Sequence, residues 1–363
     1  MEETLGKLRE LDPVNRVHLK EYIRHQTLRG IKTSSLKTKI WKIYSILQFI
    51  KFRDARTLTQ ADLEDYYIER KKKVTDHTMN GDWREVSLFV RWLLPTRAAD
   101  MLSTIKIRAP KRKIPINEVL TRDEIQKLVD GCDTLRDRAM IMMYWDSGAR
   151  LNEVLNLDLA NLEIDRFGAV AIVDGKTGKR RIRLTSCVPD LQNWLDTHPL
   201  RGQKDAPLFV TYRTRGSGPT RLSFRTVENR LKYLGKKLGM QKRIHAHAFR
   251  HARLTDLARQ GFSEMELRII AGWEKSSTMP EIYIHLSGAD VEKKILEKAG
   301  LIKEEEPQAQ AALQPIKCPR CKSINRPLAQ YCNACSFALS DEAAAMIEGM
   351  LKDVLQHPEM LHR

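Results

Sequence analysis

Three histidines and an arginine fall within the eight positions of IHAHAFRH, residues 244 to 251. Side chains of these kinds can hold a metal ion, relay protons or cradle a phosphate. On a helix, His247 and His251 are four apart and face the same way, as a two-histidine zinc site requires. Such a site usually carries a carboxylate between its histidines, but here Ala248, Phe249 and Arg250 intervene. An arginine beside a dication is unfavourable, so the spacing argues against zinc. His247 and Arg250, three apart, instead present an imidazole donor and a two-pronged guanidinium to a single anion.

Other residues could serve the same anion. Arg150 in SGARLNEVLNL stands at a loop-to-helix entry, where its side chain and the helix N-terminus can both face negative charge. Glu153, three residues on, is placed to orient that guanidinium. The turn DGKTGK carries Lys176 on a glycine-flanked tip, and AGWEKSSTMPEIYIHL holds Trp273 and, ten residues later, Tyr283. Taken singly, each has a plainer explanation: Tyr283 and Trp273 as core, His247 as a satisfied interior histidine, Arg150 and Lys176 as surface charges. His245 precedes the expected helix and His251 lies a full turn beyond His247; both are read as structural.

A separate cluster lies near the C-terminus. CPRCKSINRPLAQYCNAC spells C-x2-C-x10-C-x2-C through Cys318, Cys321, Cys332 and Cys335. Two such knuckles suit tetrahedral thiolate ligation of one structural zinc ion in a ribbon hairpin. Four thiolates close the coordination shell, which argues against a catalytic metal. So few residues cannot fold on apolar burial alone, so the metal would supply the stability. Disulfides in a protein from an extreme thermophile are the alternative. Cys132 and Cys187 stand apart in apolar surroundings, as buried free thiols do.

The elements that must position these groups are mostly helical. The chain has 363 residues, 42% of them hydrophobic, enough for more than one core. In the first hundred residues, SSLKTKIWKIYSILQFI reads as a helix capped by Ser34 or Ser35, with Lys37, Lys39 and Lys42 off its apolar face. A second helix starts at Thr59, and a third carries Trp83, Val86, Val90 and Leu93. IKIRAPKRKIPINEV, residues 105 to 119, holds Lys106, Arg108, Lys111, Arg112 and Lys113 among its prolines and reads as a linker suited to a phosphate backbone. Thr121 and Glu124 have the spacing of a capping box. The helices LRDRAMIMMYWDSGAR and LNEVLNL follow, then a β-hairpin over residues 167 to 184, then helices through residue 299. Residues 303 to 317 read as a flexible tether and 318 to 339 as the ribbon. Ser340 opens an amphipathic helix with Met346, Ile347, Met350, Leu351, Val354 and Leu355 on one stripe.

Lys and Arg outnumber Asp and Glu by 63 to 46, giving a net charge of +17 and a pI near 9.6. A field of that sign attracts polyanions, with nucleic acid the first suspect. No apolar run is long enough for a membrane span, and the mixed-charge start MEETLGKLRELD is unlike a secretory signal, so an intracellular protein is expected.

In this order and at these distances, GARLNEVLNL, the lysine of GKTGK, HAFRH, GW and EIYIHL resemble the catalytic domain of the tyrosine recombinases, the phage-integrase and Xer family. The motifs cover residues 120 to 299, and residues 14 to 95 resemble the family's helical core-binding domain, which implies a core-binding domain over residues 1 to 104 and a catalytic domain over 120 to 302. The resemblance implies a mainly α fold with a small β-sheet. Tyr283 would attack a DNA phosphodiester, Arg150, Arg250 and His247 would hold the phosphate, Lys176 would protonate the departing 5'-oxygen, and Trp273, where histidine is commoner, would donate its indole N–H. It further implies double-stranded DNA in a C-shaped clamp contacted by Lys37, Lys39, Lys42 and the basic linker, a tetrameric synapse formed from free monomers or dimers, and no catalytic metal or ATP. The expected activity is integration or excision of a mobile element, such as a virus, in the cytoplasm of a prokaryotic or archaeal host. Accessory proteins could bind the ribbon or the last helix. Dimer resolution of the Xer type, a type IB topoisomerase and a non-catalytic DNA-binding regulator remain open.

Overall fold

The computed structural model describes residues 11–107, 115–175, 178–212, 218–284, 295–296, 299–301, 313–327 and 329–356. The chain divides into two compact units, Met1–Arg112 and Lys113–Arg363, and the division falls within the basic stretch read as a linker.

The first unit is helical. Helix α1 (Pro13–Leu28) is started by the Asp12 carboxylate, which accepts from the Val14 N–H, and by a proline whose missing N–H costs nothing there. Helix α2 (Thr33–Phe49) begins earlier than its serines suggest. The Lys32 carbonyl accepts from the Ser35 and Leu36 N–H groups, so Ser35 lies inside the first turn, and no side chain caps it. Helix α3 (Gln60–Lys73) opens with a Thr59–Asp62 capping box, and α4 (Asp76–Leu93) with Thr75. Leu36, Ile40, Ile43 and Leu47 of α2 pack with Trp83, Val86, Phe89 and Val90 of α4, and the short α5 (Ala98–Met101) closes the core.

The lysines of α2 differ from one another. Lys37 is exposed, but Lys39 pairs with the buried Glu85, and Lys42 lies 3.8 Å from the buried Asp82, which Arg70 also binds at 2.9 Å. Lys39 and Lys42 thus neutralise acids of the bundle, a demand invisible from α2 alone. Lys106 is exposed; Arg108, Lys111, Arg112 and Lys113 lie outside the described residues.

The second unit is built around α7 (Leu135–Ser147), whose residues from Ala139 to Trp145 are all buried. Helix α6 (Arg122–Asp130), opened by the Thr121–Glu124 capping box, packs on it, as do α9 (Val188–Asp196) and α11 (Ala246–Arg259). The short α8 (Leu151–Leu155) leads to an antiparallel sheet of β1 (Leu162–Asp165), β2 (Gly168–Gly175) and β3 (Gly178–Leu184) in that order. The expected hairpin is β2 and β3, with Ala171 opposite Ile182; β1 adds a strand that the sequence reading omits.

Helices do not resume directly after the hairpin and α9. The described residues between Thr197 and Leu222 are extended or turning, with bridges Asp158 to Pro207 and Val210 to Arg221, and Leu208, Phe209 and Val210 are buried. Pro199 and Pro207 disfavour helix there. Helices α10 (Phe224–Lys237), α12 (Glu264–Ala271) and α13 (Met279–Ile284) complete the helical part.

The ribbon pairs β4 (Ile316–Lys317) with β5 (Ile324–Asn325), and α14 (Asp341–Gln356) follows. The tether expected to reach residue 317 stops earlier, because Leu313 is only 2% exposed within the core of the second unit and β4 begins at Ile316. Met346, Met350 and Leu351 of the expected stripe are exposed; the side chains of Val354 and Leu355 lie outside what is described. Among the described residues no helix is long and apolar enough to cross a membrane.

Removing the ammonium group of Lys39 leaves the buried Glu85 carboxylate with Arg84 alone, a largely exposed partner whose Nη2 lies 3.2 Å from Oε1. Lys39→Ala is therefore expected to cost on the order of 2 kcal/mol in thermal or urea unfolding, against almost nothing for Lys37→Ala.

Candidate active site

Arg150 is the N-cap of α8. Its backbone N–H donates to Glu153 Oε2 at 2.8 Å, its Nη1 to Glu153 Oε1 at 2.8 Å, and its Nη2 to the Gly272 carbonyl at 3.3 Å. Glu153 thus orients the guanidinium, as the spacing suggests, and it also serves a second one. Arg180 of β3 donates from Nη1 and Nη2 to the two oxygens of Glu153, at 3.0 and 2.8 Å, and from Nε to the Ile270 carbonyl. Burial alone would raise the pKa of Glu153, but the Arg180 bonds, followed by those from Arg150, hold it down to about 2.

The backbone comes very close to this pair. A Cβ on Gly175 would fall 2.3 Å from Glu153 Oε1, and one on Gly272, whose φ is +62°, would fall 2.7 Å from Arg180 Nη1. A side chain at either place would have to displace the Glu153–Arg180 pair, and at Gly272 the left-handed backbone favours glycine as well.

Arg250, on α11, is 2% exposed. Its Nη1 donates to the Gly148 carbonyl at 2.9 Å and its Nη2 to the Ala271 carbonyl at 2.8 Å. Two of its five N–H groups are thereby used, fixing the charge in place rather than leaving a free fork. Burial and then the neighbouring Arg150 charge lower its pKa to about 10, with Glu153 pulling the other way. Two guanidinium groups share the Glu153 carboxylate and a third, Arg250, lies within reach of its charge, so the cluster carries excess positive charge that an anion would neutralise.

Tyr283, on α13, is 1% exposed. Its ring stacks on Trp273 with centroids 5.6 Å apart, and the Arg250 guanidinium lies 5.3 Å from the centroid of the same indole. The phenol oxygen is 2.6 Å from His251 Nδ1, with the two rings stacked at 5.8 Å. Burial pushes the phenol up to about 12, against the lowering pull of Arg250. The sequence reading expects this phenol at a phosphate. Here it is covered, packed with Leu254, Leu257, Leu267 and Ala271.

The structure thus brings together Arg150, Arg250, Trp273 and Tyr283. His247 is exposed in the first turn of α11, its ring 5.1 Å from that of His251, and Lys176 lies outside the described residues, between the paired Gly175 and Gly178. Two functional candidates escaped the sequence reading. His251, read as structural, holds the phenol oxygen. Arg180 had a signal in period two: it shares its strand face with the buried Ile182 and Leu184, which marks it as an inward arginine in need of an acid. His245 is the N-cap residue of α11, before the helix as expected.

In the ribbon, Cys318 and Cys335 have sulfurs 3.7 Å apart, Cys321 and Cys332 have theirs 3.5 Å apart, and all four lie within 4.8 Å of one another. A tetrahedral zinc–thiolate site, with bonds of about 2.3 Å, has sulfur–sulfur edges of about 3.8 Å. The cysteines fit such an ion. They are free thiols at separations far beyond a disulfide bond, as are the buried Cys187 and the partly buried Cys132.

Residues 118–289 match the phage integrase family. The chain is 28% identical over 203 residues to tyrosine recombinase XerC of Escherichia coli O1:K1, a match covering 54% of this chain and 66% of XerC, just under two thirds. Its fold is shared with the Tn1549 transposon integrase in complex with transposon right end DNA, at a TM-score of 0.59 and 18% identity over 78% of this chain and 98% of that one. It is shared also with a lambda integrase dimer bound to a COC' core site, at a TM-score of 0.57 and 16% identity over 79% and 82%. The mainly helical class with a small sheet is the one expected.

Glu153→Gln leaves Arg150 and Arg180 without their shared acid, and is expected to destabilise the second unit by about 3 kcal/mol or more at neutral pH. An ordinary glutamate titrates near 4.5 and the folded one near 2. Its contribution is therefore complete above about pH 4.5 and is lost as pH falls towards 2. Urea midpoints measured from pH 6 to 2 should decline less steeply in the variant.

Proposed function

We propose that this protein is a site-specific DNA recombinase, which cuts and rejoins strands through a covalent 3'-phosphotyrosine and integrates or excises a mobile element. The observation that carries the reading is the stack of Tyr283, Trp273 and Arg250, which ties a phenol to a cluster of guanidinium groups in excess of their acid. The match of residues 118–289 to the phage integrase family supports it.

In this reading a DNA phosphate settles against Arg150 and Arg250, with His247 at the exposed edge and the Trp273 indole N–H as a further donor. Tyr283 is released from its burial by displacement of α13. Its oxygen bonds to phosphorus while the bond from phosphorus to the 5'-oxygen breaks. The phenol proton passes to His251, which already holds that oxygen, and Lys176 supplies a proton to the departing 5'-hydroxyl. The fixed guanidinium charges stabilise the negative charge that builds on the non-bridging oxygens. The phosphotyrosine conserves the bond, so a second 5'-hydroxyl can reverse the step without ATP. Double-stranded DNA is the substrate, with Lys37, Lys106 and the remaining linker cations along its backbone. Four protomers form the active synapse, in the cytoplasm of a prokaryotic or archaeal host.

One zinc ion held by Cys318, Cys321, Cys332 and Cys335 completes the reading. When bound, it supplies the fold of the ribbon. The exposed Met346, Met350 and Leu351 of α14 offer a face for an accessory protein or a second copy.

The buried phenol favours a second reading, a DNA-binding regulator that never cuts. Nicked suicide duplexes drawn from the DNA flanking the gene distinguish the two. The wild-type protein should form an adduct that survives denaturant and Tyr283→Phe should form none; no adduct with wild type leaves the regulator.

His251→Ala is expected to slow adduct formation about 100-fold. With no base at the phenol, its residual rate should rise about tenfold per pH unit between pH 7 and 9, because the ionised fraction of a phenol titrating near 12 grows at that rate. The wild type should show a flatter profile. Parallel profiles would remove His251 from the proton path.

A further inference from the structure

The carboxylate of Asp190, in the first turn of α9, is 2% exposed and receives two arginines from different parts of the chain. Arg138 of α7 approaches with Nε 3.2 Å from Oδ1. Arg138 is also committed elsewhere, its Nη1 to the Val129 carbonyl and its Nη2 3.7 Å from Asp130. The second arginine, Arg326, comes from the ribbon and lies closer, with Nη2 2.8 Å from the same oxygen. A carboxylate removed from water needs its charge matched, and a partner that is shared three ways matches it incompletely.

Arg326 is held in place by the fold that gathers the sulfurs. Its neighbour Asn325 is buried, donates to the Ser323 and Ile316 carbonyls at 3.1 and 3.4 Å, and accepts from the Asn333 N–H at 2.8 Å. Those partners belong to β4, to the first cysteine knuckle and to the second. One amide side chain thus braces both halves of the ribbon beside the arginine. On the N-terminal side, Leu313 is sunk in the core of the second unit. At the other end of α9, Asn333 shares a cleft with Gln192, Asn193 and Asp196. The ribbon lies along α9 and is fastened to it by a buried charge.

We infer that the four-cysteine module is a metal-dependent clasp on the catalytic unit, with Arg326 on Asp190 as its catch. The inference rests on the proposed reading of the cysteines as a metal site. Without the metal the knuckles have too little apolar surface to stay folded, Asn325 loses its partners, and Arg326 returns to solvent. Asp190 is then left with Arg138 alone. Metal bound only to the folded ribbon stabilises everything whose contacts need that fold, so α9 and the adjoining α7 share in the binding energy.

The test uses the full chain, reduced and stripped by a chelator, then titrated with cobalt(II) or zinc(II). The thiolate-to-cobalt absorption band reports ligation, and amide hydrogen exchange of residues 188–196 reports α9. Metal at one equivalent is expected to raise α9 protection about tenfold or more. Arg326→Ala should give the same band and stoichiometry, while its α9 protection stays at the metal-free level. Arg320→Ala, on an exposed arginine of the ribbon, should behave as wild type. Absence of the band overturns the metal reading and the clasp together. A normal band with unchanged α9 exchange, or metal-dependent α9 protection surviving in Arg326→Ala, overturns the clasp alone and leaves the metal site standing.

Discussion

The second unit is organised around one buried carboxylate. Glu153 takes two hydrogen bonds from Arg150, the cap of its own helix, and two from Arg180 on β3, and through Arg180 it reaches the carbonyl of Ile270 at the end of α12. Helix, hairpin and second helix are thereby locked in one arrangement. The carboxylate neutralises only part of the positive charge it gathers. That deficit gives the site an appetite for anions, and the close packing of Gly175 and Gly272 prevents it from being relieved by a shift of the backbone.

Much of this was legible because it is local. Capping boxes at Thr59 and Thr121, the alternation of the hairpin and the pairing of Arg150 with Glu153 three residues on all depend on neighbours in sequence. What escaped depends on distance. Lys39 and Lys42 read as surface charge until α4 brings Glu85 and Asp82 beneath them. His251 read as structural because its partner oxygen lies 32 residues away. Leu313, in a stretch of low apolar content, gave no sign of belonging to a core. The start of α2 was misplaced for the opposite reason, since two serines offered a cap that the backbone had no need of.

The ribbon shows how a small module can belong to a larger one. Its sulfurs, its bracing amide and its arginine form one chain of contacts that ends at an acid in the neighbouring helix bundle. A metal held by those sulfurs, as proposed, would act on the same helix that core packing holds.

The covered phenol of Tyr283 has a consequence for the protein between encounters. A neutral hydroxyl shut away from water and from any phosphate is a poor reagent. If the protein cuts DNA as proposed, a copy drifting along a chromosome would travel with its blade sheathed, and breakage would be confined to places where the DNA itself helps to draw it. Safety of this sort needs no separate inhibitor, only a resting position one small helix away from the working one.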